Sequence, residues 1–264
     1  MIELVDIGVN LTNKSLMRDL DGVMQRAADA GVRQMVVTGT SIEVTGQALE
    51  LCTRFPERLV FTCGVHPHHA DEWDAVSPDK LKKLAQHPAA RAIGETGLDF
   101  NRSYSPHEAQ EIAFRRQLEL AEELEMPVFC HQRDAHQRFV EILRDHRERI
   151  GKIVVHCFTD SREALLDYLD LDCHIGITGW ICDERRGLEL QQLVKLIPAE
   201  RLMLETDAPY LLPRDLRPKP STRINEPAYL PHILEAVARH RGQPADVLAA
   251  QCLTNSREFF DLRT

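Results

Sequence analysis

Short apolar, β-rich runs recur along the chain with stretches of helical periodicity between them, and this alternation is its dominant pattern. The runs predict strands over Leu4–Leu11, Gln34–Thr38, Leu59–Val65, Ala92–Glu95, Pro127–His131, Lys152–Phe158, Cys173–Thr178 and Arg201–Thr206. Helical periodicity covers Asp19–Ala30, Ile42–Phe55, Pro106–Glu125, Ala135–Arg147, Arg162–Leu169 and Glu184–Leu196, and two further helices, about Pro231–Arg241 and Ala245–Phe259, close the chain. Gly31 and Gly151 fit helix C-terminal caps, and Ser161 fits an N-cap.

Eight β-then-α units in 264 residues predict an α/β chain folded as a (β/α)8 TIM barrel, with residues 1–264 forming a single domain. A doubly wound open sheet would carry a glycine-rich phosphate loop after its first strand. The segment there, Asp6-Ile-Gly-Val-Asn-Leu-Thr12, is not one.

A barrel keeps its chemistry where strands end and βα loops begin. The predicted ends read Gly64-Val-His-Pro-His-His69, Gly94-Glu-Thr-Gly97, Phe129-Cys-His-Gln-Arg-Asp134, Val155-His-Cys-Phe158 and Leu204-Glu-Thr-Asp-Ala-Pro-Tyr210. Glu95, His131 and His156 supply one carboxylate and two imidazoles from three consecutive strands, a catalytic type of ligand set rather than a closed structural one. Glu205 and Asp207 share a face. Asp207, nearer the mouth, could reach an ion or its water, and Glu205, one layer lower, could orient a histidine. A lone histidine at a strand end is more often a hydrogen-bonded structural residue. Four such strand ends together point instead to a divalent-metal site. His66 is expected in the site and His68 against substrate. Asp6 and Asn10 could contribute oxygens, although loop structure explains them almost as well.

The composition is 43% hydrophobic and 28% charged, with a formal net charge of −9. That charge excludes broad electrostatic coating of nucleic acid, but not an enzyme that takes one nucleic-acid end into a locally positive pocket. Arg102, Arg133, Arg185, Arg186 and Arg214 fall in loops assigned to the functional face, and residues 209–227 carry a local net charge of +2. These groups suggest an anionic substrate, a phosphodiester being the natural one. The alternative is that each arginine pairs with a local acid. The seven cysteines lack paired CxxC spacing and read as reduced core residues. With no membrane-length apolar run and no signal-peptide pattern, a cytoplasmic monomer without a membrane partner is expected.

These motifs resemble the TatD family of metal-dependent DNases, a branch of the amidohydrolase-like barrels. The resemblance rests on Gly64-Val-His-Pro-His68, Ile93-Gly-Glu-Thr-Gly-Leu-Asp99, Pro127-Val-Phe-Cys-His-Gln-Arg-Asp-Ala135, His156-Cys-Phe-Thr159 and Leu204-Glu-Thr-Asp-Ala-Pro-Tyr-Leu211. It implies a magnesium-dependent 3′→5′ exonuclease acting on single-stranded DNA ends, with RNA as a second substrate, associated with repair of oxidative DNA damage. Metal ligands would be Glu95, His131, His156 and Asp207, catalytic groups Asp207, Glu205 and His66, and substrate contacts His68, Arg102, Arg133 and Arg214. Two imidazoles by themselves suit manganese or zinc better than magnesium. The wider family opens with Asp-x-His-x-His, whose histidines hold a second ion. Here those positions read Asp6-Ile-Gly-Val-Asn10, so one firmly bound ion is expected. Two other readings fit the same scaffold: an ester hydrolase such as a D-aminoacyl-tRNA deacylase, and a degenerate binding barrel, against which the intact ligand set speaks.

Overall fold

The structure, a computed structural model, describes residues 2–263. Within them the eight strands are β1 (Leu4–Val9), β2 (Val32–Val37), β3 (Leu59–Cys63), β4 (Ala90–Asp99), β5 (Val128–Arg133), β6 (Ile153–Val155), β7 (His174–Ile177) and β8 (Leu202–Leu204). They form one sheet in the order β1 to β8. Every pair with a resolved register, from β1–β2 to β7–β8, is parallel. A parallel bridge between Val9 and Ala208 joins the end of β1 to the segment after β8. The fold is the expected (β/α)8 barrel. Contacts group into two compact units, residues 1–37, 157–162 and 175–264, and residues 38–156 and 163–174.

Strand interiors are apolar on both sides, as a sheet covered by helices requires; Val128, Phe129 and Cys130 of β5, for example, are all fully buried. The helix Ile42–Arg54 starts where the Ser41 hydroxyl accepts the Val44 amide, and it buries Thr45, Ala48, Leu51 and Cys52 on one stripe. Gly31 follows the helix Leu20–Asp29 with φ +88°, as a cap should.

Several boundaries depart from the sequence reading. Gly151 is not a cap, because the helix His136–His146 ends at Arg147 and passes into a 3-10 turn before Gly151 is reached. The expected helix Glu184–Leu196 shrinks to Leu188–Leu193 plus a 3-10 turn. Asp183 accepts the amides of Arg185 and Arg186 and holds the preceding residues in a turn instead. A helix, Ser77–Ala85, fills the β3–β4 connection, as the β-then-α alternation requires, although its own periodicity is not among the helical segments named above.

Candidate metal centre

The largest departure lies in β4. The sequence predicts a strand stopping at Glu95, yet β4 runs ten residues to Asp99. Gly94 and Gly97 have φ of +142° and +143°, and a Cβ on either would sit 2.2 Å from the Phe129 carbonyl oxygen or 1.9 Å from that of His131. The glycines therefore do not break the strand. They let β4 lie against β5 closely enough that Gly97 pairs with His131 and Asp99 with Arg133.

Glu95 is 5% exposed, and three imidazoles converge on its Oε1. His66 Nε2 is 3.2 Å away, His131 Nδ1 3.0 Å and His156 Nε2 2.8 Å. Ligand atoms of His66, Glu95 and His131 all lie within 4.8 Å of one another. Burial pushes the Glu95 carboxyl up, but the surrounding imidazoles outweigh it and hold the group well below the usual carboxylate range. Burial also drives His66 down to about 4, so that ring is neutral at pH 7. A cluster of nitrogen donors and one carboxylate oxygen is the donor type of a catalytic divalent cation, and the residues present fit one.

Hydrogen bonds assign roles within the cluster. A neutral imidazole accepts at one nitrogen and donates at the other. His66 Nδ1 accepts the His68 amide at 3.0 Å, which leaves the proton on Nε2. His66 is thereby a donor toward Glu95 and its surroundings, and its Nε2 has no lone pair to offer an ion. His131 is turned the other way. Its Nε2 faces Asp99 Oδ2 at 3.3 Å, so Nδ1 is the nitrogen available to an ion, in a carboxylate–histidine–metal arrangement. Burial lowers His131, but Asp99 and Glu95 more than offset this and raise it.

Asp99 is the functional residue that sequence reasoning missed. It is buried, accepts His68 Nε2 at 2.8 Å as well as His131, and its other oxygen takes the amides of Asn101 and Arg102. Two buried glutamines fix these segments. Gln110 accepts the Asp99 amide and donates to the Asp99 and Ser105 carbonyls. Gln117 bonds both the amide and the carbonyl of Val65, the residue before His66. They stand seven apart on the helix His107–Leu124 and so share its buried face.

In the other unit, Asp6 and Asn10 of the first-strand motif do structural work. Both Asp6 oxygens are engaged by Thr206, whose amide is at 2.9 Å and hydroxyl at 2.5 Å. Asn10 Nδ2 donates to Asp207 Oδ1 at 2.9 Å. Asp207 has φ +54°, a region aspartate tolerates better than most residues. Glu205 is fully buried and accepts the backbone amide of Cys157. Arg185, Arg186 and Arg214 all gather on buried Asp183, at 3.7, 3.0 and 3.6 Å. The pairing alternative thus holds for each of them. Arg186 also stacks on Trp180. Arg102 is exposed and Arg133 half-buried, and exposed Tyr104 packs its ring edge against His68.

A (β/α)8 barrel with a carboxylate–imidazole cluster where its strands end defines a hydrolase of the metal-centred barrel class. The chain belongs to the TatD-related DNase family, whose model matches residues 5–261. A relative from Erwinia billingiae, named 3′-5′ ssDNA/RNA exonuclease TatD, is 53% identical over 98% of this chain and 99% of its own. A solved TatD-family hydrolase from Entamoeba histolytica superposes with a TM-score of 0.90 at 26% identity, covering 99% of each chain. A TatD homolog from Escherichia coli does so with a TM-score of 0.89 at 28% identity, covering 98% of each.

Proposed function

We infer that the chain is a metal-dependent 3′→5′ exonuclease that hydrolyses phosphodiester bonds of single-stranded DNA and RNA. The observation that carries this is the convergence of three imidazoles on one Glu95 oxygen, in a chain about half identical to a named exonuclease of that activity along almost its whole length.

Glu95, His131 through Nδ1, and His156 through Nε2 would hold the ion, with magnesium proposed and manganese or zinc suited to the same donors. When bound, the ion supplies charge to polarise the phosphate and to acidify water. His66 Nε2–H donates to a phosphate oxygen and stabilises negative charge developing in the transition state. Asp99 keeps the proton of His131 on Nε2. We assign the proton of the attacking water to Asp207, whose carboxylate is fixed by Asn10, and a supporting role to Glu205. Asp207 also remains the proposed fourth ligand. His68, Arg102, Arg133 and Arg214 are proposed as substrate contacts, with Tyr104 as a surface on which a base could stack. Seven free cysteines favour a reducing, cytoplasmic setting. No helix among the described residues is long and apolar enough to cross a membrane. We take the whole chain as one catalytic domain acting as a monomer, which light scattering tests.

Purified protein is incubated with 5′-labelled single-stranded DNA and with aminoacyl-tRNA, each with magnesium or with chelator. The expected result is a descending ladder of labelled DNA that chelator abolishes. Release of amino acid alone would favour a deacylase instead, and no metal-dependent turnover of either would leave the binding-protein reading. The proposed part in repair of oxidative damage predicts that a deletion strain is more sensitive to peroxide; unchanged survival contradicts it.

A further inference from the structure

Outside the Glu95 centre, one other group of ligand-type side chains converges among the described residues. Cys182 ends the 3-10 turn Gly179–Cys182 after β7, Asp215 lies in the loop after β8, and His232 is in the first turn of the helix Leu230–Arg241. One ligand atom from each lies within 4.8 Å of the other two. His232 Nε2 is 2.7 Å from Asp215 Oδ1, and Arg239 approaches the opposite oxygen, Oδ2, at 3.8 Å. Cys182 is buried, and its thiol hydrogen-bonds to Asp215. The His232 and Asp215 side chains are about one-third exposed, at 32% and 33%, so the group opens to solvent on one side.

We propose that Cys182, Asp215 and His232 form a second cation site, selective for a thiophilic divalent ion such as Zn2+ and separate from the catalytic centre. The donor chemistry carries this. A thiolate, an imidazole and a carboxylate from three different segments make a three-ligand set of the zinc type, with a fourth position left for water. The Glu95 centre offers only nitrogen and oxygen, so the two sites discriminate between ions by softness. The bland alternative is a plain hydrogen-bonded trio pinning the loop. Burial and the neighbouring Asp215 charge keep the Cys182 thiol protonated without an ion, despite nearby Arg239. Ion binding would therefore replace the S–H bond with an S–metal bond and release that proton to solvent. His232 would bind through the lone pair of one ring nitrogen, with the ring proton on the other. No redox change is involved.

Such an ion would act on the basic loop. Cys182 adjoins Asp183 and Asp215 adjoins Arg214, and Asp183 and Arg214 already pair at 3.6 Å. The ion would clamp two adjacent residue pairs together and fix the arginine cluster around Asp183.

Co2+ serves as a spectroscopic probe in the full-length protein, because thiolate coordination gives a near-ultraviolet charge-transfer band that nitrogen and oxygen ligands do not. The expected result is a band that saturates at about one equivalent and is displaced by Zn2+ but not by Mg2+. The band should be absent in Cys182→Ser, weakened at least about tenfold in apparent affinity in His232→Ala, and retained in Cys157→Ser, which alters the half-buried cysteine elsewhere. Zn2+ should raise the melting temperature of wild type more than that of either site variant. His232 is partly exposed, so its variant provides the test if Cys182→Ser does not fold. Absence of a band in wild type, its survival in Cys182→Ser, or its loss in Cys157→Ser would each overturn the proposal.

Discussion

Glu95 is a buried acid whose cost is met by histidines rather than by a lysine or arginine, and that choice is what suits the cluster to the proposed cation. Neutral imidazoles can turn their lone pairs to an ion, whereas a fixed cation would exclude it. For His66 and His131, hydrogen bonds at the second nitrogen set the role. Because His66 Nδ1 accepts the His68 amide, His66→Gln, which retains an N–H donor, should lower kcat while leaving the metal concentration for half-maximal activity unchanged. A large rise in that concentration would make His66 a ligand. Asp99→Asn removes the charge that orients His131. It should weaken ion affinity about 10- to 100-fold, with activity recovered at high metal. An unchanged metal titration would remove Asp99 from the account.

At the scale of elements, β4 and β5 carry the centre, and their close approach depends on two glycines. Alanine at Gly97 meets both an unfavourable φ and a carbonyl 1.9 Å from its Cβ. It should destabilise the chain by about 3 kcal/mol or more and disturb the Asp99–His131 alignment. Gly151→Ala, with nothing within 4 Å of the added Cβ, should stay within about 0.5 kcal/mol of wild type. Paired chemical-denaturation curves check both, and equal losses would contradict this reading of β4. The βα alternation was legible because apolar periodicity is a local property. Glu95, His131 and His156 were legible because each stands at the end of such a run. The length of β4 was not, since Gly94-Glu-Thr-Gly97 has the composition of a turn and only the approach of β5 shows why it is a strand. Gln110 and Gln117 were hidden for a similar reason. They occupy core positions of a helix, and their polarity makes sense only beside the backbone groups they satisfy.

Across the whole molecule, the loss of the first-strand histidines did not leave a gap. Asn10, at one of those positions, braces the segment after β8 beside Asp6 of the same motif. Asp6 has a signature in stability. Burial raises the Asp6 carboxyl to about 7, although its bonds to Thr206 pull the other way. The folded chain therefore keeps this proton to higher pH than the unfolded chain, whose aspartate titrates at 3.8. Raising the pH between those values costs stability, on the order of 4 kcal/mol in all. With chelator present, Asp6→Asn should lack this decline, and the difference in unfolding free energy between it and wild type should change through that window. A constant difference would show that Asp6 is already ionised there.

The chain carries a formal net charge of −9, which disfavours broad electrostatic coating of nucleic acid, so the proposed exonuclease would take its substrate through local contacts rather than a basic face. Everything then depends on Glu95. The most direct test is the rate of nucleotide release from 5′-labelled single-stranded DNA at saturating magnesium, wild type against Glu95→Ala, with far-ultraviolet circular dichroism confirming that the variant folds. The account predicts a loss of at least about a thousandfold that added metal does not restore. A folded Glu95→Ala that retained activity within about tenfold of wild type would contradict it.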